Sequence, residues 1–400
     1  MENNQKITLL KQLTQSLELP DTAYEKAINR YEDLGDWFDR DNSALKLNMP
    51  HIFPQGSFRL GTAIKPINEA DSYDLDLACN IRAGFAMSTH SQKQLKDAIG
   101  NEVEGYRVAR AIKAEKEEKQ RCWRLEYADT VSFHMDIVPC IPETENNRRM
   151  LTESMQKHSG LMFEDASSLS NFAVCITDNS DKSKYEYITN DWQISNPEGY
   201  AKWFELQMSR RYLNESALAK AQVDSIPIFK RKTPLQQIVQ LLKRHRDVTF
   251  ASESDAKSKP ISIIITTIVA AAYSGTSELN IALEEALKAL NNFVISDSSK
   301  VSNPVNPEEN FADKWTSPKY TQYNLKKNFH LWVARAIRDF NLLLSANDAQ
   351  RISEVAEDGF AIRKSDDDWA RQLGLVSSTP IISSTPKNID VVQAKPWCKD

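Results

Sequence analysis

An α+β fold is predicted by three observations. Short runs of alternating apolar and polar residues occupy roughly residues 50–190, among them "YDLDLACNI", "CWRLEYA" and "TVSFHMDIVPCIP", with turn residues between them. Helical periodicity precedes them and returns afterwards. Strands segregated from a long helical stretch describe a sheet packed beside a helical bundle rather than an alternating βαβ layout. With 400 residues there is room for two packed parts, and 41% hydrophobic against 26% charged residues is ordinary globular usage.

The elements follow in order. After Pro20, "TAYE" has the form of a capping box, and Tyr24, Ala27, Ile28, Tyr31, Leu34, Trp37 and Phe38 recur at helical spacing up to about Asp39. Asn196 and Pro197 start a second helical region, with Tyr200, Trp203, Phe204 and Gln207 on one face. Leu235, Ile238, Val239 and Leu242 form a further stripe. The run from Ser262 reads as a buried helix, and Leu325 to Phe340 as another. "NPVNPEENF" is expected to be a two-proline loop leading into a helix, with Phe311 and Trp315 as anchors. The expected division is an N-terminal long helix packing along both lobes (1–45), a catalytic core (46–190), a helical domain (191–375) and an extended Ser/Thr/Pro-rich tail (376–400).

Composition excludes several classes. The net charge of −5 argues against a surface built to grip long nucleic acid, which needs a basic excess. "ISIIITTIVAAA" is too short for a membrane span, which takes about 20 residues. Five scattered cysteines without a CxxC pair fit neither a disulfide framework nor a zinc knuckle, and a reducing cytoplasm is the expected location. The histidines show no metal-ligand spacing.

Two carboxylates stand out in "YDLDLACNI". Successive side chains of a strand alternate faces, so Asp74 and Asp76 share a face about 6 to 7 Å apart while Leu75 and Leu77 enter the core. In "VSFHMDIVP", His134 and Asp136 share the polar face, and Asp136 becomes a third ligand if the two strands pair. Three oxygen donors on one sheet face suit Mg²⁺, which combines a few carboxylates with water and substrate phosphate. The plainer reading is a solvated strand face. Upstream, "PQGSF" offers a glycine for close backbone approach and a serine with hydroxyl and N–H, the equipment of a phosphate-holding loop. A phosphate loop, a DxD strand and a later lone Asp come in the order found in polymerase-β-like nucleotidyltransferases.

With these motifs, and with "NPEGYAKWF", "LLKRHRD", "KPISIIITT" and "NPVNPEENFADKW", the chain resembles the cGAS/DncV-like nucleotidyltransferases (CD-NTases) of bacterial antiphage signalling. The resemblance implies a small mixed sheet flanked by helices, joined to a helical bundle, with the active site in the cleft between them. It implies synthesis of a cyclic di- or trinucleotide from nucleoside triphosphates, ATP among them, with two Mg²⁺ ions that Mn²⁺ can replace. A separate effector would sense the product, and a regulatory protein partner would be compatible with it. By resemblance, Asp74, Asp76 and Asp136 are the metal ligands and catalytic residues, and Gln55, Gly56 and Ser57 the phosphate loop. Lys243 and Ser262 would contact the donor triphosphate. Lys243 also lies at the edge of its apolar stripe, where a long side chain reaches a cleft; a solvated basic face shared with Arg244 and Arg246 is the alternative. For Ser262 the alternative is a helix cap after Pro260. Rival functions are an RNA-tailing nucleotidyltransferase, a small-molecule nucleotidyltransferase and a catalytically silent scaffold.

Overall fold

The computed structural model describes residues 1–400 except 69–70, 128–131, 210–231, 253–255 and 376–400; the expected tail lies outside the described residues. The 1–45 segment forms two helices, not one: α1 (Asn3–Leu17) and α2 (Asp21–Asp39). Pro20 is the N-cap of α2, so Thr22 lies inside its first turn and does not cap it. This break has a packing reason. Leu9, Leu10, Leu13 and Leu17 of α1 enter the core of the helical part, whereas Ala23, Ala27, Leu34 and Phe38 of α2 enter the core under the sheet. Leu9, Leu10, Leu13 and Leu17 stand at helical spacing, so the helix over α1 is legible in the sequence while the break before α2 is not.

Next come β1 (Pro50–Pro54), α3 (Gly56–Leu60), β2 (Tyr73–Ile81), α4 (Gln92–Ala109), β3 (Glu117–Glu118), β4 (Trp123–Tyr127) and β5 (Phe133–Pro142). Then follow α5 (Glu145–Ser159), α6 (Phe163–Ser170), β6 (Val174–Ile176), α7 (Lys182–Tyr185) and β7 (Gln193–Ser195). The strands form one mixed sheet in the order β1-β2-β5-β4-β3, with β6 and β7 joined to the far end of β5. Among the described strands only β2 and β5 run parallel, as neighbours at the centre of the sheet. Leu75, Leu77, Leu125, Phe133, Met135 and Ile137 are fully buried on one face, as the alternation requires.

The helical part comprises α8 (Pro197–Ser209), α9 (Pro234–Thr249), α10 (Ser262–Ala272), α11 (Leu279–Ile295), α12 (Leu325–Ser345), α13 (Ala349–Phe360) and α14 (Asp366–Leu373), with the hairpin β8 (Ser302–Asn303) and β9 (Asn306–Asn310) between α11 and α12. Asn196 does cap α8, its Oδ1 accepting from Gly199 N–H at 3.0 Å. "NPVNPEENF" is a hairpin rather than a loop entering a helix, because Asn303 pairs with Asn306 across its tight turn. Phe311 and Trp315 pack against the helical core, as anchors should.

The junction between the two cores is α3. Phe58 belongs to the sheet core and Leu60 to the helical core. Between them the buried Arg59 reaches α8, donating through Nε and Nη2 to both oxygens of Glu198 at 2.9 and 2.8 Å and through Nη1 to Glu205 at 2.6 Å. Such a multidentate guanidinium fixes direction as well as distance.

Candidate active site

Strand register assembles an acidic sheet face. In the β2–β5 pair Asp76 stands opposite Asp136 and Asp74 opposite His134; in the β5–β4 pair Asp136 stands opposite Arg124 and His134 opposite Glu126. Two rungs result, Asp76–Asp136–Arg124 and Asp74–His134–Glu126. Arg124 forks onto Asp136, Nε to Oδ1 and Nη2 to Oδ2, both at 2.7 Å. His134 Nε2 donates to Glu126 at 2.9 Å while its Nδ1 lies 3.6 Å from Asp74, placing the ring between two carboxylates.

Asp76 is the electrostatic focus. Its carboxyl is pushed up to about 7 by burial and by the charges of Asp74 and Asp136, against the pull of Lys243 and Arg124. Asp74 is open to solvent, with 71% of its side chain exposed. Among the described residues no three His, Cys, Asp or Glu side chains close into a metal cage. An open set of carboxylates, one of them carrying uncompensated like-charge repulsion, fits a Mg²⁺ completed by substrate and water better than an all-protein site would.

The loop after β1 brings its backbone against this cluster. Gly56 has φ +64°, and a Cβ placed there would stand 2.2 Å from Asp76 Oδ2, so only glycine admits the carboxylate. Gln55 N–H donates to Asp76 O at 2.8 Å, locking the turn to β2.

Opposite the loop, α9 presents a polar row at helical spacing. Gln236 Nε2 donates to Leu60 O at 2.9 Å, Gln240 Nε2 to Ala63 O at 2.7 Å, Lys243 Nζ to Thr62 O at 2.8 Å, and Arg244 to Lys65 O. The sequence shows the apolar stripe of α9, but a second face, marked by Gln236 and Gln240 at seven and three residues before Lys243, escaped it. Lys243 is buried, not solvated, and so are Arg244 and Arg246. Burial and the neighbouring Arg246 push the Lys243 ammonium down to about 8.

Ser262 is the first residue of α10 and not its cap, since Ile261 occupies the cap position without a side-chain bond. Its Oγ accepts from Arg246 Nη1 at 2.7 Å. Gly56, Ser57, Asp74, Asp76, Lys243 and Ser262 line one cavity of about 800 Å³. A second cavity of about 250 Å³ shares Gly56 and Asp76 with the first, and Gln55 lines that one together with Asn303 and Glu309 of the β8–β9 hairpin. Asp136 shares the sheet face with both other carboxylates but is absent from either lining. The hairpin residues and Arg124 escaped sequence reading; for Arg124 the signal was there, as "CWRLEYA" puts Arg124 and Glu126 on one polar face.

A mixed sheet with a glycine turn against paired strand carboxylates, closed by a helical part, defines a nucleotidyltransferase. Residues 50–139 match the nucleotidyltransferase domain described as cyclic GMP-AMP synthase DncV-like. The matched segment is thus similar to the nucleotidyltransferase domain of that family, the CD-NTases. It is 28% identical over 313 residues to a c-di-GMP synthase of Roseivirga ehrenbergii, spanning 76% of this chain and 72% of that protein. It is 25% identical over 335 residues to the cyclic dinucleotide synthase CdnG of Bradyrhizobium diazoefficiens, spanning 80% of this chain and 73% of the relative. The structure of CdnG in complex with GTP superposes with a TM-score of 0.59 over 92% of this chain and 98% of that one at 20% identity; Vibrio cholerae DncV with a linear intermediate gives 0.51 over 91% and 86% at 14%. The chain is thus an enzyme similar in sequence and fold to these synthases. No helix among the described residues is long and apolar enough to cross a membrane.

Proposed function

We propose that this enzyme joins two nucleoside triphosphates, GTP at least, into a cyclic dinucleotide with release of pyrophosphate. The observation that carries the reading is the pair of cavities that meet at Gly56 and Asp76. Joining two nucleotides needs two rooms with one reacting centre between them; a silent scaffold needs neither. GTP is supported by the names of the c-di-GMP synthase and of CdnG bound to GTP. ATP, expected from the resemblance, is the second substrate if the product is a mixed ring of the kind named in the family description.

In this reading the larger cavity holds the donor triphosphate. Ser57 offers its hydroxyl and N–H to phosphate oxygens, and Lys243 brings a cation from the opposite wall. Ser262 already accepts from Arg246, so its own hydroxyl hydrogen is free to point at an anion. Asp74, Asp76 and Asp136 hold Mg²⁺, which when bound neutralises the charge developing on phosphate and lowers the pKa of the attacking hydroxyl. The ribose hydroxyl of the second nucleotide attacks the α-phosphorus and pyrophosphate departs; a second transfer in the other sense closes the ring. The product serves as a signal for a separate effector in antiphage defence, a role supported by the family resemblance.

The test is incubation of the purified chain with Mg²⁺ and each triphosphate, singly and in pairs, without RNA. A product of cyclic dinucleotide mass that resists phosphatase, having no terminal phosphate, is expected. Only phosphatase-sensitive material, or turnover dependent on an RNA end, overturns the reading.

A further inference from the structure

Arg124 is the one cation seated on the acidic sheet face among the described side chains that the strand register places there. Register puts it directly across from Asp136, and its fork occupies one lone-pair direction on each carboxylate oxygen. Neither partner is at the surface: 28% of the Arg124 side chain and 20% of the Asp136 side chain are exposed. Among the described residues only Asp136 accepts a hydrogen bond from the guanidinium. Asp76 sits one strand further along the same rung.

We propose that Arg124 is a built-in counter-ion that occupies the place of the divalent cation in the free enzyme, orients Asp136, and sets how tightly that cation binds. The inference rests on the reading of Asp74, Asp76 and Asp136 as the cation site. Two consequences follow, of opposite sign. Without a divalent ion, Arg124 offsets the repulsion among three carboxylates and stabilises the fold. When the ion arrives, the guanidinium either yields an Asp136 oxygen or remains as a like charge nearby, and both weaken cation binding. The cation site would then bind its ion weakly until a triphosphate brings further negative charge, which disfavours a bound metal without substrate.

The experiment measures Mn²⁺ binding to nucleotide-free protein by electron paramagnetic resonance of the unbound ion, alongside melting temperature with and without Mg²⁺. Arg124→Met should bind Mn²⁺ about tenfold more tightly than wild type, the scale of one partly solvated charge a few ångströms away. Its melting temperature without metal should fall, and its gain on adding Mg²⁺ should exceed that of wild type. Arg124→Lys, which keeps the charge and loses the fork, should lie between the two, and it serves if Arg124→Met does not fold. Equal or weaker Mn²⁺ binding in both variants overturns the inference while leaving the carboxylate site intact. Asp76→Asn separates the two readings: if wild type and Asp76→Asn bind Mn²⁺ alike, the cation site itself is wrong.

Discussion

The two walls of the large cavity treat charge in opposite ways. On the sheet, Asp74 and Asp76 line the cavity and share their face with Asp136, and among the described residues Asp136 is the one of the three paired with an arginine or lysine. On α9, the buried Lys243 and Arg244 have backbone carbonyls of the 62–65 segment as acceptors. The sheet wall therefore carries repulsion that a ligand can relieve, while the helix wall carries cations that already hold the fold together. Removing Asp74 or Asp76 from the first should cost function alone, and removing a cation from the second should cost function and stability together.

The largest separation of those effects is expected at Asp76. Asp76→Asn should reduce nucleotide transfer by about 10³-fold or more, the scale on which transition-state charge stabilisation is lost. The metal-free protein should melt at the same temperature or higher, because a carboxyl pushed up by burial and by its like-charged neighbours is being replaced by a neutral group. A collapse in melting temperature with activity retained would make Asp76 a structural residue and erase the contrast.

Gly56→Ala tests where the walls meet. The left-handed backbone costs a Cβ about 1–2 kcal/mol, and the methyl would drive the Asp76 carboxylate from its place. Both melting temperature and turnover should fall. Unchanged turnover would show that the close approach of Gly56 to Asp76 is incidental.

The helix wall is tested by Lys243→Ala, which should weaken GTP binding by about 1.5–3 kcal/mol, the range for a hydrogen bond to a charged group, and lower stability by stranding the Thr62 carbonyl. The pH dependence has a definite sign. The ammonium of the free enzyme loses its proton near pH 8, so affinity for GTP should decline as pH rises through about 8, and this decline should be missing in Lys243→Ala. Arg244→Ala should destabilise through the Lys65 carbonyl yet leave the pH profile in place. Identical profiles in all three proteins would assign phosphate binding to the basic wall as a whole.

Much of the sheet wall was legible beforehand. Period-2 alternation in "YDLDLACNI" and "FHMDIVPCIP" determines which residues share a face, and β2 runs over the nine residues that the pattern delimits. The helix stripes of α8, α9 and α12 were legible for the same local reason. What the sequence could not display was partnership. Arg124 meets Asp136 only because β4 pairs with β5 in one register out of several, and shifting that register by a residue would turn Arg124 into the core. Lys243 and Arg244 looked like candidates for a solvated face because nothing in α9 reveals that the 60–65 segment lies along it with open carbonyls. The split of the N-terminal region into two helices serving two cores, and the Asn303 and Glu309 side chains in the second cavity, depend likewise on contacts between residues far apart in the chain. Alternation, helical spacing and the placing of glycine are set by neighbours along the backbone, and the sequence by itself determined them; burial, counter-ions and the meeting of two cavities at Asp76 are set by which surfaces pack, and only the tertiary structure decided those.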